Sequence, residues 1–225
     1  AGSAICRSLI TKGYGDPKKN GRIFTPSRKE LDLLDQHQVK NWFHKHKPSI
    51  VILAAAKVGG IYANSEQPVD FLLKNLKIQN NIIETSWNYG IKRLLFLGSS
   101  CIYPKFAKQP ISEEELLTSS LETSNQWYAI AKISGIKLCE ALKKQYNFNA
   151  ISLMPTNLYG PGDNYHPENS HVLASLIRRF YEAKFEYKSE VICWGSGSPR
   201  REFLHVNDLA NAIIFVLENW DIDNP

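Results

Sequence analysis

Tyr128 and Lys132 are the pair in this chain whose types and spacing offer most to chemistry. They lie four residues apart, so on a helix they stack on one face. A free phenol titrates at about 10 and exchanges protons poorly near neutrality. An ammonium held beside it favours the phenolate and is expected to lower that value, giving a proton donor and acceptor that works near pH 7. Tyr-x-x-x-Lys alone is also common on solvated helix faces. It gains weight from Ser99-Ser100-Cys101, a hydroxyl-bearing run that ends the apolar stretch Arg93 to Leu97. Such a run at the carboxyl end of a strand sits where open parallel sheets bind ligands.

The elements that must position these residues alternate in type. Gly2 to Leu9 reads as a helix, with Ile5 and Leu9 on one face. In a dinucleotide-binding unit the first strand leads into a helix that opens on glycine, and Gly2 fits the last glycine of the phosphate loop between them. The strand and earlier glycines are expected to be missing, and both ends of the chain read as cut. A short strand is expected at Arg22 to Thr25, followed by Arg28, whose charge suits the 2′-phosphate of NADP where an acid would suit NAD. A helix at Gln36 to His46 carries His37, His44 and His46 as surface residues. Ser49 to Ala56 and Arg93 to Leu97 read as strands buried in a parallel sheet. Helices are expected over Pro68 to Tyr89 and Asn125 to Gln145, and a strand over Ala150 to Met154. Pro155-Thr156-Asn157-Leu158 then leaves the sheet. Further on come a helix at His171 to Tyr181, a short strand at Glu190 to Trp194, and a helix capped by Asn207-Asp208 and running to Trp220. The alternation predicts an α/β fold, a doubly wound parallel sheet of Rossmann type lacking its first strand. Residues 1–158 form the expected dinucleotide-binding core. Residues 159–225 form part of a substrate-binding region, with 203–220 returning to the core.

Composition excludes several classes. Of 225 residues, 43% are hydrophobic and 22% charged, with a formal net charge of +5. These are globular values. Basic and acidic residues are interspersed, so no nucleic-acid role is called for. No apolar run reaches membrane-spanning length, and no secretory signal peptide is expected. Cys6, Cys101, Cys139 and Cys193 are scattered without a C-x-x-C pair, which argues against a metal site or a disulfide framework and for a cytoplasmic setting.

Placed on this framework, Ser99, Tyr128 and Lys132 resemble the short-chain dehydrogenase/reductase superfamily in its extended, nucleotide-sugar-modifying branch. Longer motifs narrow the resemblance: Ala54 to Ile61, Leu97 to Lys105, Tyr128 to Lys132, Met154 to Pro161, Asn169 to Val172, Trp194 to Gly197 and Arg201 to Val206. Together they are similar to the GDP-L-fucose synthase family, whose members epimerise and then reduce GDP-4-keto-6-deoxy-D-mannose. The resemblance implies NADP(H) as cofactor, a GDP-sugar as substrate, and a homodimer formed through a four-helix bundle of the 68–89 and 125–145 helices.

It also implies roles. Cys101 and His171 match the acid–base pair that inverts C3 and C5. Tyr128 protonates the alkoxide formed on reduction at C4, Lys132 lowers the phenol's pKa and holds the nicotinamide ribose, and Ser99 orients the 4-oxygen. Gly2, Arg28, Leu97, Gly98, Ser99, Ser100, Tyr128, Lys132, Pro155, Thr156, Asn157, Leu158 and His171 are the implied cofactor contacts. Arg179, Trp194 and Arg201 anchor the nucleotide portion of the substrate, the arginines through forked, charge-assisted hydrogen bonds. Alternatives are another extended nucleotide-sugar epimerase or dehydratase, an inactive partial chain, or a cofactor-sensing binding protein. A dehydratase generally carries an acid pair where this chain has Ser100-Cys101, and a sensor typically loses the tyrosine or lysine.

Overall fold

A computed structural model describes residues 1–167, 169–193 and 195–220. Three strands, β1 (Ile50–Leu53), β2 (Arg93–Leu97) and β3 (Ala150–Leu153), form a parallel sheet with β2 in the centre. The register pairs Leu53 with Phe96 and Leu97 with Leu153. Side chains along β2 alternate between two cores, as a strand's period of two requires. Leu94 and Phe96 point into one core and Leu95 and Leu97 into the other. Leu94, Leu95 and Phe96 are each 0% exposed. Each contributes about 1.5–3 kcal/mol by leaving water. This is why an unbroken apolar run, rather than an alternating one, marks the central strand.

Helices cover both faces. The first core packs α2 (Gln36–His46), α4 (Pro68–Asn88) and α5 (Gln126–Tyr146) against the sheet. The second packs α1 (Gly2–Thr11) and α7 (Val206–Asn219) against it. The expected doubly wound α/β arrangement is therefore present. Two more helices are α3 (Ile61–Glu66) and α6 (Val172–Phe185). A second, two-stranded parallel sheet pairs β4 (Asn157–Tyr159) with β5 (Phe203–His205).

Helix ends follow local chemistry. The Asp35 carboxylate caps α2 by accepting from the backbone of His37 and Gln38 at 2.9 and 3.1 Å. Pro68 opens α4, where a missing N–H costs nothing. Arg93 closes α7 from the far side, its guanidinium donating to the carbonyls of Leu217 and Trp220 at 2.6 and 3.2 Å.

Four expectations need correction. Residues 22–25 form no strand: among the described residues no backbone ladder joins them to another segment. Residues 190–193 are likewise not a strand. Ile192 is 71% exposed, so the segment has no core to pack on. The other end of that expected strand, Trp194, lies outside the described residues. The cap of α7 is His205, whose ring nitrogen accepts from the Asn207 backbone at 3.3 Å, in place of Asn207-Asp208. Finally, β1 is shorter than expected and pairs on one side only, so Ile50 is 42% exposed instead of buried.

Candidate active site

The carboxyl ends of β2 and β3 are stapled together. Gly98 donates to the Leu153 carbonyl at 2.8 Å, and Ser100 donates to the Pro155 carbonyl at 3.1 Å. A side chain at Gly98 would meet Ile136 Cδ1 at 3.2 Å and the Leu153 oxygen at 3.3 Å, so the strand ends and α5 approach closely here. The staple turns the chain from β2 into a 3₁₀ turn over Ser100–Ile102, capped by the Ser99 hydroxyl, which accepts from the Cys101 backbone at 3.4 Å.

Helix α5 delivers its pair to the same end of the sheet. Lys132 is 3% exposed, and its ammonium donates to the Leu97 carbonyl at 2.7 Å. The ammonium also lies 4.7 Å from the centre of the Phe96 ring and 5.7 Å from that of Tyr128. Burial pushes Lys132 down to about 8, and the charge of Cys101 pulls the other way. The Cys101 thiol is pushed up by burial, against the Ser99 hydrogen bond and the Lys132 charge. Cys101 is therefore within electrostatic or hydrogen-bonding reach of Ser99, Tyr128 and Lys132.

The phenol does not behave as its spacing from Lys132 suggests. Tyr128 is shifted above its ordinary value, first by burial and then by the charge of Cys101. The expected lowering by Lys132 does not prevail, because burial of the phenol outweighs it. At neutral pH the phenol is protonated and poised to donate.

The remaining expected residues have their own local partners or lie exposed. Pro155 and Thr156 are half-buried beside the staple, and Asn157 and Leu158 begin β4, where the Asn157 amide donates to the Glu202 carbonyl at 3.0 Å. His171 caps α6 and is exposed. Arg179, on α6, donates to the Ile192 carbonyl. Arg201 is exposed and donates to the Arg200 carbonyl at 2.7 Å. Arg28 stands on an exposed turn. Gly2 opens α1 with no capping side chain, no acidic residue in the first turn, and open space around it. Trp194 is outside the described residues, so its expected role has no structural counterpart here. Among the described residues, no group of His, Cys, Asp and Glu is arranged to hold a metal ion, and no helix is long and apolar enough to cross a membrane.

Sequence reading passed over the residues that brace the site from α4. Asn75 is 2% exposed. It accepts from the Lys57 backbone at 2.8 Å and donates to the Lys57 carbonyl at 3.0 Å. Gln79, also 2% exposed, donates to the Ala131 carbonyl at 2.6 Å, next to Lys132. Phe71 sets its ring edge-on to Tyr128, with centres 6.4 Å apart. The available signal was two amides interrupting the apolar face of a helix at the spacing Phe71, Asn75, Gln79.

Known proteins resemble this chain in sequence and fold. The chain is 57% identical over 219 residues to GDP-L-fucose synthase 1 of Arabidopsis thaliana, covering 97% of this chain and 66% of that protein. It is 52% identical over 217 residues to the GDP-L-fucose synthase of Escherichia coli (strain K12), covering 96% and 66%. The chain thus spans slightly less than two thirds of the length of these curated relatives. The crystal structure of a GDP-L-fucose synthetase from Naegleria fowleri bound to NADP superimposes with a TM-score of 0.82 at 31% identity, covering 96% of this chain and 69% of that one. The resemblance read from the local motifs is borne out by these relatives. The model of the NAD dependent epimerase/dehydratase family matches residues 1–224, and the chain belongs to that family.

Proposed function

We propose that this chain carries the site for a two-stage conversion of GDP-4-keto-6-deoxy-D-mannose to GDP-L-fucose, by inversion at C3 and C5 and then reduction at C4. The observation that carries this reading is the convergence of Ser99, Cys101, Tyr128 and Lys132 on the carboxyl end of β2. Relatives bearing the synthase name at more than half identity support it.

The residues present fit NADP(H). The uncapped first turn of α1 at Gly2 offers backbone N–H groups to a pyrophosphate. Gly98 keeps the sheet edge bare, Lys132 has spare donors for a ribose, and Arg28 is free at the surface for a 2′-phosphate. Ser99, Ser100 and residues 155–158 would complete the nicotinamide side. When bound, NADPH supplies the hydride for C4.

This chain's own groups handle protons and charge. Hydrogens on C3 and C5 flank the 4-keto group, so removing either leaves an enolate with its charge on O4. Cys101 and His171 take the proton from one face and return one to the other, leaving atoms and charge balanced after each inversion. The Ser99 hydroxyl and Tyr128 phenol donate to O4 as that charge grows. In the reduction, Tyr128 gives its proton to the alkoxide at O4 and recovers one from solvent. A phenol held protonated, as found here, suits that direction. Arg179, Arg201 and Trp194 are assigned to the GDP portion, which makes residues 159–220 the substrate side of the site.

We further assign a homodimer formed through the outer faces of α4 and α5, where Val69, Leu73, Trp127 and Ile130 are exposed. Sedimentation equilibrium reporting only monomer would overturn it. The cysteines among the described residues are unpaired, consistent with a reducing, cytoplasmic setting that fractionation would check. The activity is tested by incubating the protein with GDP-4-keto-6-deoxymannose and NADPH. Loss of absorbance at 340 nm with formation of GDP-L-fucose is expected, and Tyr128→Phe should slow it by about 10²–10⁴-fold. No NADPH oxidation by the wild type would reject the assignment.

A further inference from the structure

The loop between β1 and α3 touches both halves of the site. Its middle, Lys57, is clamped to α4 by the two hydrogen bonds of Asn75. Two residues on, a side chain on Gly59 would lie 3.1 Å from Phe71 Cζ, and that ring meets Tyr128 edge-on. Its end is gathered by Asn64, 5% exposed, whose amide donates to the carbonyls of Gly59 and Gly60, both at 3.0 Å. Gly60 in turn lies against the backbone of Ser170. A Cβ on Gly60 would stand 2.7 Å from the Ser170 carbonyl oxygen, and Ser170 is 9% exposed and immediately precedes His171.

We propose that Gly60 and Asn64 are positioning residues that seat His171 relative to Tyr128. The contact is backbone to backbone, so it fixes the segment carrying the imidazole without competing for the ring itself. Asn64 keeps the seat rigid by holding two consecutive carbonyls. Gly60 leaves room for the approach. Gly60 has φ −67°, ψ −178°, a conformation any residue adopts, so backbone freedom does not explain the glycine. The lack of a side chain does. This inference rests on the acid–base role proposed for His171.

The test compares wild type, Gly60→Ala and Asn64→Ala by three measurements. The first is the His171 ring resonances in cofactor-free protein, assigned by a His171→Gln control. The second is deuterium uptake from D₂O at C3 and C5 of GDP-4-keto-6-deoxymannose. The third is NADPH oxidation with substrate already inverted at both carbons. Alanine at Gly60 must displace the Ser170 carbonyl by about half an ångström. Errors of about 1 Å cost about 10²-fold in rate, so roughly a tenfold loss of deuterium uptake is expected, with reduction of the inverted substrate unchanged. The His171 resonances should move while those of His37, His44 and His46 stay. Asn64→Ala should do the same in milder form, and it carries the test if Gly60→Ala does not fold. Unmoved His171 resonances in the folded variants, or equal loss in both half-reactions, would overturn the proposal. If the wild type itself takes up no deuterium, the functional reading fails instead, and the resonances alone decide the seat.

Discussion

The ammonium of Lys132 is bonded to the carbonyl of Leu97, 35 residues earlier in the chain, at 2.7 Å. This single contact ties the helix bearing the Tyr-Lys pair to the last residue of the central strand. It places a positive charge, 3% exposed, at the carboxyl edge of the sheet. The same ammonium lies 5.7 Å from the centre of the Tyr128 ring, so one cation faces both the sheet edge and the phenol.

That burial has a pH signature. Lys132 falls from its ordinary 10.5 to about 8 in the folded chain. Between those values the unfolded chain binds the proton and the folded one does not, so stability contributed at this site rises with pH across the window. The gap corresponds to about 3 kcal/mol. Tyr128, Cys101 and Cys139 are shifted upward and act in the opposite sense at alkaline pH. The informative quantity is therefore the difference between wild type and Lys132→Met, in which the Tyr128 and Cys139 contributions largely cancel and the further rise of Cys101 in the variant acts in the same direction as the lost ammonium. Urea unfolding at pH 7, 8, 9 and 10 should show wild type gaining on the variant by about 1 kcal/mol per unit above pH 8. A constant difference would show that the ammonium is solvated.

Much of this was legible from types and spacing, and the rest failed for identifiable reasons. Arg93 to Leu97 announced a central strand because both of its faces are apolar, and Tyr128 and Lys132 announced a shared helix face. Ser99 was found because it follows the carboxyl end of an apolar strand, where open parallel sheets bind ligands. The direction of the Tyr128 shift was not legible. Spacing reveals that a cation is near but not where its donors are spent or how deeply the phenol is covered. The clamps at Asn75 and Asn64 were hidden because their partners are backbone groups, which every sequence offers everywhere. The strand expected at residues 22–25 failed because strand formation depends on a neighbour, and local composition carries no information about one.

Cys101 supplies a prediction that needs no substrate. Its thiol is raised by burial but drawn back by the Ser99 hydrogen bond and the Lys132 charge. Removing either of the latter should raise it further. Iodoacetamide alkylation of Cys101, followed by peptide mass spectrometry to separate it from the exposed Cys193, should therefore shift its pH midpoint upward in Lys132→Met and in Ser99→Ala. An unchanged midpoint would mean that the thiol and the ammonium do not share one site. With substrate, Cys101→Ser should lose about 10²–10⁴-fold in deuterium uptake at C3 and C5. Reduction of an already inverted substrate should stay within a few-fold of wild type.

Gly135 tests how closely α5 must approach the sheet. A Cβ there would stand 2.7 Å from Phe96 Cζ, 2.8 Å from Cε1 and 3.0 Å from Gln79 Cδ. Two effects compete in Gly135→Ala. Alanine is better than glycine inside a helix by about 1 kcal/mol, while overpacking a filled core costs about 1–3 kcal/mol. Both neighbours are pinned: Phe96 is 0% exposed between sheet and helix, and Gln79 is held by its bond to the Ala131 carbonyl. Neither is the free end of a flexible chain, so overpacking should win by about 1 kcal/mol, lowering the unfolding midpoint by about 2–4 °C. The displacement should also reach the active site, because the ring that must yield is the one lying 4.7 Å beneath the Lys132 ammonium. Calorimetry showing the variant equal to or more stable than wild type would mean that α5 can lift away from the sheet, and with it the pair on which the proposed chemistry depends.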